Sequence, residues 1–555
     1  MEQELVRGRV SAKAAVRQAR QLARGLSRRA RGLPARTKRV VDRGPNALQQ
    51  HQLDRGPTAV YSEGAVRRVI DRTMPRDASD ANLGIVASVL ESAGVPFVLL
   101  RQLSPLRHVV AVEDVHRATV MAALSDAGAE RAVYVQPIWG EKLGPRRPAV
   151  GLDRGPAKRP ADVLRCGELY TDAGESFGYG LGHGCEIEFW SRDERGAYDH
   201  VVLPRDHVTG RDLPIHLFEP EPVRIGGRTY PQARIMAGTM LEEVVADIDV
   251  VYTWVDGSDL TWLNRMSAAK ASASGVPFHP MASHQARYRT RDEFRYSLRS
   301  LDMYAPWVRN IFVVTDDQRP AWLVEDDRLR VVSHREIFAE PAVLPVFNSS
   351  AIISQLHHIP GLAEHYLYLN DDVFFGRPVA PELFFTPAGQ ARVFPSRNAR
   401  PFGDPDHHDE PHFNLTRNMR RLIQAQFGRT VTKAVKHTPH AQLRSVQERL
   451  EATFFDEYRA TAAAKFRSHE DIAADQLFHY YGQLSGDAIA STIRYDYVNL
   501  ANVAYTQNLV NLTKLRDRDV FCLNDAPSDD HDPIDDDVVD EFLRGYFPVP
   551  SRFEK

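Results

Sequence analysis

The chain of 555 residues is 43% hydrophobic and 26% charged, with a formal net charge of -3. That is an ordinary soluble composition, predicting about two to four domains and excluding a dedicated nucleic-acid binder. Its cysteines, Cys166, Cys185 and Cys522, form no CxxC pair and no even framework, which excludes a cysteine zinc site and fits a reducing compartment.

No apolar run approaches the ~20 residues that span a bilayer, and no signal-peptide core follows the start, so the sequence predicts a cytoplasmic protein. Residues 1–58 read as a basic arm and linker. Lys and Arg crowd the first 40 positions against only Glu2 and Glu4, and Ala12, Ala15, Ala19, Leu22 and Leu26 recur at helical spacing. Such a segment suits peripheral contact with the anionic inner face of a membrane, or a solvated arm.

Residues 60–240 predict a smaller accessory α/β domain. Its expected elements are a helix over 80–93, strands over Val95–Leu100 and Val109–Val112, a helix over His116–Asp126 and a strand over Cys185–Trp190. Glu186 and Glu188 alternate on that strand. An exposed polar sheet face is the simpler expectation, a metal-binding pair the other.

From Asp247 the pattern changes. Strands are expected at Ile248–Val255, stopped by Asp256-Gly257, at Asn310–Thr315 before Asp316, at Arg330–Ser333, and at Tyr366 into Asn370. Helices start at the capping-box spacing of Thr290–Glu293 and near Asn348. Strand and helix alternating in this way predict a mostly parallel sheet, whose carboxyl ends form one ligand edge shared by Asp256, Asp316, Asp371 and Asp372. Residues 415–485 read as a helical part of a 245–525 domain, and 526–555 as an acidic tail.

The richest stretch is Tyr366–Gly376 (YLYLNDDVFFG), a buried strand ending in two adjacent acids. Asn370 and Asp371 could simply cap the next turn. A divalent cation carrying phosphate oxygens is the alternative partner for acids in that place. Lys436-His437-Thr438-Pro439-His440 offers histidines in an extended loop, suited to proton transfer or to a plain surface role. Phe466–Ile472 (FRSHEDI) predicts a helix start capped by Ser468, with Arg467 just outside it where anions bind. Arg287, Arg289, Arg291 and Arg295 form a basic cluster suited to a diphosphate or to a solvated face.

Together, DIDVVYTWVDGSD (247–259), RYRTRDEFRYSLRSL (287–301), the stretch from FNSSAIISQLHHIPGL (347–362) to YLYLNDDVFFG (366–376), and KHTPH with FRSHEDI (436–472) resemble the Stealth family. These are bacterial capsule and exopolysaccharide sugar-1-phosphate transferases related to the catalytic part of animal N-acetylglucosamine-1-phosphotransferase. The resemblance implies a GT-A-like nucleotide-sugar-binding core with a helical insertion, using Mg2+ or Mn2+. It implies transfer of a hexose 1-phosphate from a UDP-sugar to a glycan or lipid-linked glycan hydroxyl, with release of UMP. Carried over by position, Asp249, Trp254, Asp256, Gly257, Arg295, Asn348 and Asn370 would bind the donor. Asp371 and Asp372 would hold the metal, and His437, Asp372 and Arg467 would be catalytic. Ile353 and His358 depart from the family pattern, where glutamate and arginine are common. A metal-dependent glycosyltransferase releasing UDP and a non-catalytic glycan-binding relative are the competing expectations.

Overall fold

The computed structural model describes residues 45–54, 58–153, 160–175, 177–195, 198–272, 291–525 and 534–555. Most of the basic arm, Arg287 and Arg289 lie outside these residues. The chain divides between Met240 and Leu241 into two compact units. Part of the expected linker is a helix, Ala47–Asp54, in which Gln52 donates to the Gly128 carbonyl at 2.8 Å.

In the first unit the described residues build an eleven-stranded mixed sheet. Helices Pro75–Ser92 and Arg117–Glu130 pack on one face through Leu83, Val86, Leu90, Val120 and Leu124. The Cys185–Arg195 strand sits in its interior, parallel to Arg107–Glu113 and antiparallel to Val163–Gly167. Its second face is covered by Leu203, Leu213, Phe218 and Met236. Glu186 and Glu188 are therefore buried, not on an exposed polar face, and neither awaits a metal. Arg205 pairs with both acids, Arg165 lies 2.8 Å from Glu186, and His207 Nε2 lies 2.9 Å from Glu188. Buried acids persist only with such partners.

The second unit contains strands β1 (Ile248–Thr253), β2 (Ile311–Thr315), β3 (Leu329–Ser333), β4 (His365–Asn370), β5 (Val373–Phe375), β6 (His440–Leu443), β7 (Tyr495–Asn499) and β8 (Val520–Asn524). Its main helices are α1 (Leu260–Ser272), α2 (Glu293–Tyr304), α3 (Ser349–Ile353), α4 (Pro411–Phe427), α5 (Arg444–Thr453), α6 (Phe455–Ala463), α7 (Ala474–Ser485) and α8 (Asp536–Tyr546). The main sheet has the order β3-β2-β1-β4-β6. The first four strands are parallel, and β6 runs against β4. Continuous apolar runs such as Val250-Val251-Tyr252 suit this interior, because helices cover both faces of a parallel sheet.

The expected helical region thus contains a sheet strand: β6 extends the main sheet between α4 and α5. The expected helix start at Ser468 is instead a turn, with Ser468 N donating to Asp471 Oδ2 at 2.8 Å and the helix beginning at Ala474.

A small sheet, β5-β8-β7, stands beside α2. Ser297 Oγ donates to the Val373 carbonyl at 2.6 Å, and the Phe375 amide donates to Ser300 Oγ at 3.0 Å. The acidic tail expected over 526–555 is not a tail in its described part. Helix α8 buries Val539, Phe542, Leu543 and Tyr546 at helical spacing and turns its acids outward. Phe374, Phe521 and Phe547 stack with ring centroids 5.2–6.0 Å apart. Burial of each such ring contributes about 1.5–3 kcal/mol. Glu554 then closes the chain against α2. Among the described residues no helix is long and apolar enough to cross a membrane.

Candidate active site at the strand ends

The chain runs from β1 to β2 to β3 on one side, then places β4 on the other side of β1. This reversal opens a crevice at the carboxyl ends of β1 and β4, the place where open α/β sheets bind ligands. Thr253 and Asn370 are paired across it. Below them, Tyr368 Oη donates to Asn370 Oδ1 at 2.5 Å and lies 3.2 Å from Thr253 Oγ1. That bond fixes the Asn370 amide and leaves its Nδ2 to donate to His437 Nε2 at 3.0 Å.

His437 reaches this point because β6 runs antiparallel to β4, with His440 opposite Tyr368. The residues before His440 therefore overhang the end of β4. His440 anchors the overhang: its Nδ1 lies 2.7 Å from Asp475 Oδ2 and its Nε2 3.0 Å from the Lys436 carbonyl. His437 Nε2 also lies 3.3 Å from Asp372 Oδ1. The two contacts need opposite forms of the ring. Neutral Nε2 accepts from Asn370, whereas protonated Nε2 donates to Asp372. Burial pushes the imidazole down, but the charges of Asp372, Asp475 and Asp371 outweigh it and hold the ring above its ordinary range.

The other Asp372 oxygen accepts from the Cys522 thiol at 3.4 Å. Burial and the Asp372 charge push that thiol well up, so it stays protonated. Burial, then Asp372 and Glu293, push the Asp371 carboxyl well above the usual range. Glu293, at the first turn of α2, is itself raised by burial. Nearby, the Tyr495 hydroxyl is buried beside the His437 backbone. Three carboxylates converge here, and among the described residues His437 is the ion-pair partner of Asp372. Asp372, His437 and Cys522 bring their donor atoms within 4.8 Å of one another. Of these donors only the Asp372 carboxylate, with its neighbour Asp371, offers the oxygen ligands a hard cation takes, since the Cys522 thiol keeps its proton.

A second group lies at the start of α3. Asn348 caps that helix and donates to Asp471 Oδ2 at 2.8 Å, while Arg467 donates to Ser349 Oγ at 2.8 Å. Phe347 stacks on Phe466, and both join a cluster containing Val255 of the turn after β1. Burial raises the Asp471 carboxyl to about 7 against the pull of the Ser468 amide, Asn348 and Arg467.

The other sequence-derived residues are placed differently. Trp254 follows Thr253 at the crevice, its ring 6.0 Å from Phe294. The Asp256 carboxylate is engaged within its own turn by Ser258, and the turn at Gly257 is tied to the β2 exit by Gln318, which accepts from the Asp256 amide at 2.9 Å. Asp316 pairs with Arg265 of α1 at 2.9 Å. Asp249 is not at the ligand edge. It sits at the start of β1 opposite Tyr366, about 13 Å from Thr253 at 3.3 Å per residue. There it accepts from Arg309 at 2.6 Å and from the Asn310 and Ala363 amides.

Arg295 likewise faces Glu554 at 2.5 Å, and Arg291 pairs with Glu293, Asp525 and Asp536. These two arginines are engaged by carboxylates of the C-terminal segment. Ile353 packs with Leu344 and Ala462 against the core, and His358 meets Glu451. Glu293, Tyr368, Cys522 and Tyr495 were not singled out from sequence as parts of this site. Glu293 was visible only as a capping-box acid, and Cys522 and Tyr495 arrive on strands far along the chain.

Four family models match the second unit: Stealth conserved regions 1 (residues 246–274), 2 (287–393), 3 (436–482) and 4 (511–555). Exopolysaccharide phosphotransferase SCO6023 of Streptomyces coelicolor is 41% identical over 499 residues, covering 87% of this chain and 83% of the relative. SCO2594 of the same organism is 40% identical, covering 93% and 90%. Exopolysaccharide phosphotransferase CpsY of Mycobacterium tuberculosis H37Rv is 33% identical, covering 90% and 92%. These alignments are longer than the second unit, so the first unit is shared with the relatives too. A solved galactosyltransferase, LgtC, covers 55% of this chain and 96% of its own at 10% identity and a TM-score of 0.29, too loose a likeness to bear on chemistry. The chain belongs to the Stealth family.

Proposed function

We propose that this chain is a transferase that moves a hexose 1-phosphate from a UDP-sugar to a hydroxyl of an exopolysaccharide or capsular glycan, releasing UMP. The observation that carries the reading is His437 Nε2, held between Asn370 and Asp372 at the strand-end crevice. The relatives named exopolysaccharide phosphotransferase support the sugar-phosphate chemistry.

In this reading the donor lies along the Trp254–Gly257 turn with its diphosphate over Asp371 and Asp372. A Mg2+ or Mn2+ ion held by the two aspartates would neutralise charge on the phosphoryl oxygens. His437 takes the acceptor hydroxyl proton at Nε2 as the acceptor oxygen bonds to the β-phosphorus. The bond from that phosphorus to the bridging oxygen breaks, and UMP leaves with the bridging oxygen. Asn370 keeps the imidazole oriented, and Tyr368 keeps Asn370 oriented. Arg467 stabilises phosphoryl charge, and the Asn348–Asp471 pair fixes the loop that carries it.

The test is incubation of the purified chain with Mg2+ or Mn2+, UDP-sugars and short glycan acceptors, separating UMP from UDP. UMP release that is lost in His437→Ala and Asp372→Ala supports the reading, and UDP release refutes it. The basic residues 1–40 extend the proposal to peripheral contact with the inner membrane face, where lipid-linked acceptors would be met. Deleting them is then expected to release the protein from anionic vesicles, whereas unchanged, salt-insensitive binding contradicts this.

A further inference from the structure

Outside the strand-end crevice a second set of donors converges. His357 and His358 end the short helical turn Leu356–His358, and Glu451 lies on α5. His357 Nε2 is 2.8 Å and His358 Nε2 2.9 Å from the same carboxylate oxygen, Glu451 Oε2. All three donor atoms lie within 4.8 Å of one another. We propose that His357, His358 and Glu451 form a zinc-type metal site that pins the loop after α3 to α5.

The donor chemistry selects the ion. Two imidazoles and one carboxylate match Zn2+ and related borderline ions, whereas Mg2+ prefers oxygen ligands alone. The outer partners are those of a ligating histidine. His358 Nδ1 lies 3.0 Å from the Ile337 carbonyl. Donation from that nitrogen leaves a lone pair on Nε2 facing Glu451. Two lone pairs then face each other unless a proton or a cation sits between them.

The spacing is also suitable. Tetrahedral ligands at Zn–N and Zn–O lengths of roughly 2.0–2.1 Å stand about 3.3 Å apart, so each histidine nitrogen needs to part from Glu451 Oε2 by only about half an ångström. Access is open on one side. The His357 side chain is 1% exposed, but those of His358 and Glu451 are 29% and 24% exposed, leaving a fourth position for water. Glu451 also forms one wall of a cleft with Phe338, Gln355 and Arg459. Nothing is shared with the Asp372, His437 and Cys522 donors. The ligands join positions 93 and 94 residues apart in the chain, the arrangement in which metal binding adds most to folding stability.

The competing account is an ion pair between His358 and Glu451 with no metal. His358→Arg separates the two, since its guanidinium can still pair with Glu451 but cannot ligate a metal. The full chain, stripped with chelator, is loaded with Zn2+ alone and dialysed, then assayed for retained zinc and melting temperature, with Co2+ spectra in parallel. The variants are Asp372→Asn, which removes the carboxylate central to the crevice group, and Asp372→Asn with His358→Arg. The expected result is one zinc per chain retained in the first, a tetrahedral Co2+ spectrum and a zinc-dependent rise in melting temperature. All three are lost in the second while its fold persists. No retained zinc in Asp372→Asn, or equal retention in both variants, overturns the proposal.

Discussion

Replacing Glu554 by alanine tests how the second unit is closed. Its side chain is fully buried and accepts from Arg299 through Oε1 and Oε2 at 2.8 Å each and from Arg295 at 2.5 Å. It also accepts from the Ser551 amide and hydroxyl at 2.8 and 3.0 Å. These contacts hold the carboxyl below its ordinary range despite burial. Truncation strands Arg299, which keeps only its bond to the Phe547 carbonyl at 2.9 Å. Removing one partner of a buried ion pair costs about 3–5 kcal/mol. At about 2–4 °C per kcal/mol this is a fall in melting temperature of roughly 6–20 °C, toward the low end for so large a unit. Calorimetry with circular dichroism reads it directly. Glu554→Gln, which keeps one acceptor oxygen, is expected to fall between the two. A Glu554→Ala protein melting within about 2 °C of the parent would refute the clasp, and with it the structural assignment of Arg295.

His437→Ala is expected to lower kcat by about 10²–10⁴, the usual worth of a positioned acid–base group. His440→Ala, which loosens the loop without removing the His437 ring, is expected to cost less, and equal losses in single-turnover assays would contradict that ordering. Asp371→Asn relieves repulsion with Asp372 and Glu293, so in chelator it is expected to melt higher than the parent while losing metal-dependent donor binding. A lower melting temperature would argue against crowded carboxylates. Burial holds the folded Asp471 carboxyl at about 7, against about 3.9 for an unfolded aspartate. The folded chain therefore holds the proton that the unfolded chain has lost, and this group withdraws stability as pH rises from about 4 to about 7, by at most about 4 kcal/mol. Asp471→Asn keeps the acceptor for Asn348 and Ser468, so its stability relative to the parent is expected to grow across that window in denaturant titrations. A constant difference would show that Asp471 ionises freely.

The crevice could be anticipated from sequence because its parts obey short-range rules. An apolar strand ends at Asn370, parallel strands put their exits on one edge, and Pro439 extends the loop before His440. Asp249 lies in the expected strand, but near its start, four residues before the carboxyl end at Thr253. Glu186 and Glu188 alternate as exposed acids would, and only the second layer of Leu203 and Phe218, which no local pattern announces, buries them. The C-terminal segment reads as acidic because carboxylates crowd the stretch Asp525–Glu541. Val539, Phe542, Leu543 and Tyr546 nevertheless share one helical face. Arg291 and Arg295 looked like diphosphate ligands for the same reason that they bind Asp525, Asp536 and Glu554, since a guanidinium is indifferent to which oxyanion it meets. Long-range pairs of this kind leave no local signature.

The most direct measurement is 31P NMR of the glycan product formed from a UDP-sugar. Attack at phosphorus predicts a phosphodiester resonance on the product, coupled to the anomeric proton of the transferred sugar, with UMP as the partner nucleotide. A phosphate-free glycan accompanied by UDP would place the attack at the sugar carbon and contradict the account.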